Sequence, residues 1–108
     1  MASAATIFLV CSGFVVLASD PDRRRPVGNV SLTIDLRAGR VSGFSKGTIE
    51  KTSTPEQIAW MDQECSNLSA NGVFDRATGE THAGVCVGDR NKPGIEYYMV
   101  TCKSARQP

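Results

Sequence analysis

The sequence predicts a mainly β fold, a small antiparallel sheet or meander of about five to six strands, with room for one short helix within 55–67. Three observations carry that expectation. From Val30 to Leu36 (VSLTIDL) apolar and polar residues alternate strictly, the period of two that a half-buried strand requires. The stretches IDLRAGR (34–40) and FDRATGE (74–80) are near twins: in each, an apolar residue precedes an aspartate, and a glycine follows the aspartate in the fourth position. The run Ile95–Lys103 (IEYYMVTCK) is rich in β-branched and aromatic residues and follows a turn cluster, Asp89–Gly94 (DRNKPG).

Length and composition fix the scale. With 108 residues, 41% hydrophobic and 21% charged, the chain suits one small domain, and a formal charge of +1 is too small to draw it to nucleic acid or membrane by field alone. The run Ile7–Leu17 (IFLVCSGFVVL) has the length of a signal-peptide h-region and is too short to cross a bilayer as a helix. Val16 and Ala18 supply the small residues that a signal peptidase needs, so residues 1–18 are expected to be a removable leader. The rival reading is a buried strand pair with Gly13 as a break. Residues 19–29 then read as a polar tail. Its Arg23-Arg24-Arg25 run lacks interleaved aromatics, so it suits a solvated segment better than a nucleic-acid site.

The body, residues 30–108, follows in order. Val30–Leu36 is the first strand, Arg37-Ala38-Gly39 turns the chain, and Val41–Phe44 returns. Ser45-Lys46-Gly47 breaks that strand, and Ile49 begins a third. In both twin stretches a short loop ending in glycine suits a type I turn followed by a left-handed residue, with the aspartate bonding the turn's own amides. A calcium loop would need ligands at alternate positions, where Ala77 and Gly79 stand, so the twins are hairpin signatures. Thr54–Leu68 (TPEQIAWMDQECSNL) reads two ways. As a helix, Thr54 caps it, Pro55 takes its first position, and Ile58, Met61, Cys65 and Leu68 share a face. As a strand, Ile58 and Trp60 point one way and Ala59 and Met61 the other. Gly72–Arg76 and Thr81–Val87 form a second hairpin, Ile95–Lys103 is the last strand, and Ser104–Pro108 is a frayed end.

A strand ending in Asp-x-x-x-Gly, then Ile-x-Trp, then Asp-Arg-x-Thr-Gly, then a terminal Tyr-x-x-x-Cys-Lys, resembles a loose group of small exported proteins from soil and root-associated bacteria. The likeness spans roughly 30–106. It implies a small antiparallel β structure with a strand at Gln57–Met61, a periplasmic or secreted location, and a role in host association such as nodulation. Cys65 and Cys86 depart from that group's pattern.

With the leader removed, Cys11 goes too, and Cys65, Cys86 and Cys102 remain in a compartment that permits a disulfide. One crosslink, worth roughly 2–4 kcal/mol, would be a large share of the stability of so small a domain. If the last hairpin turns near Lys92, Cys86 faces Tyr98 and Cys102 faces His82. The two sulfurs would then stand about 13 Å apart, and a disulfide needs Cα atoms within about 7 Å. Cys65, on a polar connection, is therefore the expected partner of Cys102, with Cys86 a free thiol.

No cofactor or metal is expected. His82 could join Cys65, Cys86 and Cys102 around zinc only with a spacing foreign to the common structural motifs. Trp60, Tyr97 and Tyr98 are candidates for a binding surface toward a protein or glycan. The sequons Asn29-Val30-Ser31 and Asn67-Leu68-Ser69 matter only on a eukaryotic secretory route. The expected function is that of an exported, non-enzymatic binding or structural domain. The alternative is a small enzyme or inhibitor acting through His82 and Cys86 or through the loop Asp89–Gly94. A carboxylate or thiol within hydrogen-bonding reach of His82 in a pocket would favour that alternative.

Overall fold

Side chains alternate across a strand, and the chain buries its apolar inward residues by rolling a single sheet into a closed antiparallel barrel. A computed structural model describes residues 6–65, 69–88 and 93–105. The strands are β1 (Thr6–Leu17), β2 (Asp20–Asp35), β3 (Arg40–Gly43), β4 (Gly47–Ile49), β5 (Gln57–Met61), β6 (Asn71–Asp75), β7 (Glu80–Gly88) and β8 (Pro93–Ser104). Each pairs with the next in chain order, and β8 pairs with β1 to close the ring. The barrel therefore has more strands than the five or six expected: β1 lies where a leader was expected, and the first expected strand begins earlier, within the expected tail, as β2.

The apolar run Ile7–Leu17 is β1, the strand that closes the barrel. It pairs with β2 on one side and with β8 on the other, and it buries Leu9, Cys11, Val15 and Val16. Cleavage after Ala18 would take this strand out of the ring. Residues 20–29, expected as a tail, belong to β2 and extend the β1–β2 hairpin past the end of β3. β3 reaches only Leu32–Asp35, so the stretch of β2 from Asp20 to Ser31 carries no strand on its other side. That explains its composition. Prolines lack the amide that an inner strand must donate, and charged side chains keep an open edge from pairing with another chain. Gly28 and Asn29 together stand opposite Ser12 as a bulge, with Asn29 at φ 56°.

The twin turns are built as the sequence predicts. Gly39 and Gly79 have φ of 70° and 80°. Ala38 N–H donates to Asp35 Oδ1 at 2.9 Å, and Ala77 N–H to Asp75 Oδ1 at 2.9 Å. The segment with two readings is a strand. Thr54 does meet Gln57, but as a turn that launches β5: its Oγ1 accepts the Gln57 amide at 3.1 Å while its own N–H donates to the Gln57 carbonyl at 2.8 Å. Ser53 Oγ then bonds both the N–H and the C=O of Ala59 at 2.9 and 3.1 Å, holding the backbone extended.

Inward side chains fill the barrel: Leu32, Ile34, Val41, Ile58, Trp60, Phe74, Ala83 and Val100 join Leu9, Cys11 and Cys102 in one cluster. Eight strands enclose just enough space for such a filling. Trp60 is fully buried, and its Nε1 donates to Ser45 Oγ at 2.9 Å, so its polar edge is satisfied inside the core. Thr81 is also fully buried, and its hydroxyl donates to the Gly79 carbonyl at 3.2 Å.

Both disulfides differ from the expected pairing. Cys102 is bonded to Cys11, not to Cys65, and Cys65 is bonded to Cys86, which is therefore not a free thiol. The place of Cys11 in the fold accounts for the first change, and the approach of Cys65 to Cys86, Cα to Cα 6.3 Å, for the second. Cys11 stays in the fold, directly opposite Cys102 with a Cα separation of 4.0 Å. The last hairpin also has another register, in which Cys86 faces Ile95 and Tyr98 faces Ala83. Residues 89–92 of the loop Asp89–Gly94 lie outside the described residues, as does Asn67 of the second sequon, while Pro93 and Gly94 open β8.

Candidate functional site

His82 sits at the centre of a row that crosses the outside of the barrel. Residues directly opposite in adjacent strands share a face. Phe14 on β1 faces Met99 on β8, Met99 faces His82 on β7, and His82 faces Val73 on β6. The row continues to Pro26 on β2 and Ala59 on β5. Its interior neighbours Thr81, Ala83, Val100 and Phe74 are buried, which fixes the row as outward-facing by alternation. Phe14 is 46% exposed, although it is large and apolar.

One row over, Tyr97 faces Gly84 and is 38% exposed. The missing side chain at Gly84 lets the carbonyl of Ser69 approach the strand and occupy the place where a β-carbon would sit. The result is a groove of about 330 Å³, with Ser69 and Asn71 on one side, Tyr97 and Met99 on the other, and Val73, His82 and Gly84 along its floor.

The three aromatic candidates separate here. Tyr97 is on the outer face. Tyr98 points inward, packs its ring 4.8 Å from that of Phe44 and only borders the groove. Burial raises the Tyr98 hydroxyl above its usual pKa, reinforced by the nearby negative charge of Glu96, which accepts its hydrogen bond at 3.5 Å. Trp60 lies in the core and is no surface residue, a correction that follows from its place beside Ile58 on the inward face of β5.

The chemistry of the groove is that of contact. Among the described residues, no carboxylate or thiol lies within hydrogen-bonding reach of His82, whose cross-strand neighbours are Met99 and Val73. The four groups that a zinc site would need are divided by the barrel wall. Cys102 is inside and bonded to Cys11, whereas His82 is outside and Cys86 is bonded to Cys65. No group of three or more metal-ligating side chains occurs among the described residues.

A second, polar crevice of about 270 Å³ lies between the β3–β4 region and the chain after β5, lined by Arg40, Lys46, Thr48, Asp62 and Glu64. Lys46 Nζ and Glu64 Oε1 pair across it at 3.0 Å; the bond raises the lysine pKa and lowers the glutamate pKa. Both groups are exposed, so the pair adds little to stability. Sequence reasoning did not reach either depression, because both depend on which strands adjoin. The signal that existed was the alternation that sends Tyr97, Met99 and His82 to one side.

Two disulfides are compatible with an oxidising compartment. Among the described residues no helix is long and apolar enough to cross a membrane. Compared with known protein families, with curated proteins and with solved structures, the chain has no significant match.

Proposed function

We propose that the protein is an exported, non-enzymatic binding module of the cell envelope or the extracellular space, and that it engages a protein partner through the outer face around His82 and Tyr97. The observation that carries this reading is the cross-strand row Phe14, Met99, His82 and Val73, an apolar band on the outside of a barrel whose interior is already filled. Apolar contact with a few polar groups suits a protein surface better than a glycan, which needs a denser set of hydrogen-bonding partners. The single histidine, set between Met99 and Val73 across its neighbouring strands, suits apolar contact better than proton transfer. The resemblance to small exported proteins of root-associated bacteria adds host association as the setting.

The test is a comparative capture from the native envelope fraction with three forms of the protein: the unaltered chain, Met99→Asp or Tyr97→Asp, and Leu36→Asp as an exposed control on the far turn. A partner retained by the first and third forms and lost with the second supports the reading. Capture indifferent to the outer face would overturn it, and substrate turnover lost on His82→Ala would install the enzymatic alternative. Export rests on the h-region character of Ile7–Leu17, and the intact mass of the exported protein shows whether β1 travels with the barrel.

A further inference from the structure

We propose that Cys65–Cys86 is a thiol–disulfide exchange site, open to an external thiol, while Cys11–Cys102 is closed to one. The fold places the two pairs of sulfurs in opposite surroundings. Cys11 is fully buried and Cys102 is 6% exposed; both point into the barrel. Thr81 Oγ1 stands 3.2 Å from Cys102 Sγ and occupies the space beside it. An attacking thiolate must approach in line with the sulfur–sulfur bond, and both ends of this bond are buried.

Cys86 is on the outward side of β7 and exposed. It lies beyond Ala83, where β6 no longer pairs with β7, so no strand shields it on that side. Cys65 is half-buried and lies outside the strands, with its Cα 6.3 Å from that of Cys86. Attack is therefore directed at Cys86. A thiolate bonds to Cys86 Sγ, the disulfide breaks, and its electron pair leaves on Cys65 Sγ, which takes up a proton. One equivalent of a monothiol leaves a mixed disulfide on Cys86. With a dithiol, the second thiolate attacks the reagent's own sulfur in that mixed disulfide and expels Cys86 as a thiolate. Two electrons have then passed from the dithiol to the protein, and the reagent leaves as a disulfide.

The barrel does not depend on this crosslink. Cys86 keeps its backbone pairing with Ile95, and the seam between β1 and β8 holds its own disulfide. The proposal stands whether or not the outer face binds a partner.

The test uses the oxidised 108-residue chain, exposed to low concentrations of dithiothreitol or glutathione, trapped by alkylation and mapped by peptide mass. Cys65 and Cys86 should become labelled at least about tenfold faster than Cys11 and Cys102, with the near-ultraviolet signal of Trp60 unchanged. Glutathione should appear on Cys86. Opening of Cys11–Cys102 first or in step, an adduct on Cys65 instead, or loss of the Trp60 signal on opening of Cys65–Cys86 would each overturn the proposal. A Cys65→Ser, Cys86→Ser double variant provides the second arm. It should fold and resist labelling until it unfolds globally, and rapid labelling of its folded form would count equally against the idea.

Discussion

The indole of Trp60 fills the space that a β-carbon on Gly72 would need. The two residues stand directly opposite on β5 and β6, and ring atoms Cζ2 and Cε2 lie where that carbon would go. Gly72→Ala must therefore displace the largest side chain of the core, which is also tied to Ser45 through its Nε1. The expected cost is about 1–3 kcal/mol, with a shift in tryptophan emission as the ring moves. Chemical denaturation followed by fluorescence checks both; an unchanged midpoint would contradict this packing.

The twin turns give a paired prediction. Gly39 and Gly79 share the left-handed conformation, so alanine at either position should cost about 1–2 kcal/mol for the backbone alone. Their surroundings differ. Nothing lies within 4 Å of a β-carbon on Gly39, whereas on Gly79 it would run into the Cys102 carbonyl, held close because the Cys102 N–H donates to the Gly79 carbonyl. Gly79→Ala should exceed Gly39→Ala by at least about 1 kcal/mol in matched melts. Equal losses would show that β8 yields at this point.

Stability should fall at alkaline pH, and Tyr98 should account for much of the fall. Burial and then the Glu96 charge raise its pKa above the usual 10.0, so the folded chain keeps the phenolic proton when the unfolded chain has lost it. The stabilisation is complete below the unfolded value and disappears as pH rises through the folded one. The melting temperature should drop above about pH 10, and Tyr98→Phe should flatten that slope. An identical slope in the variant would assign the loss elsewhere.

Removing β1 should open the ring. A chain of residues 19–108 loses both ladders of β1, the burial of Leu9, Val15 and Val16, and the partner of Cys102. Loss of the disulfide alone costs about 2–5 kcal/mol in a small domain. Compared with the full chain, 19–108 should melt without cooperativity. A sharp transition in the shorter chain would mean that β2 and β8 find another way to close.

The period-two signal around Val30–Leu36 and the Asp-to-Gly spacing of the twin turns were legible because each is decided within a few residues. The strand at Gln57–Met61 was not legible from its own sequence alone. Thr54, Pro55 and Gln57 satisfy a helix start equally well, and the choice is made by Ser53 holding Ala59 from outside the segment. The seam was hidden for a related reason. An apolar run meets the needs of a leader and of a strand alike, and only its register with β8 brings Cys11 opposite Cys102. The outer groove depends on which strands adjoin and on the close approach of the Ser69 carbonyl to Gly84, neither of which has a local signature.

Because the ring closes between its first and last strands, the chain meets a problem of timing. β1 is made first, yet one of its two neighbours, β8, is the last strand to be made, and Cys11 waits across a separation of 91 residues for Cys102. Until then the apolar edge of β1 has only the β2 hairpin beside it. Native closure is thus a late and non-local event, slow by the general dependence of folding rate on contact separation. A growing or translocating chain must keep that strand from foreign partners for the whole interval.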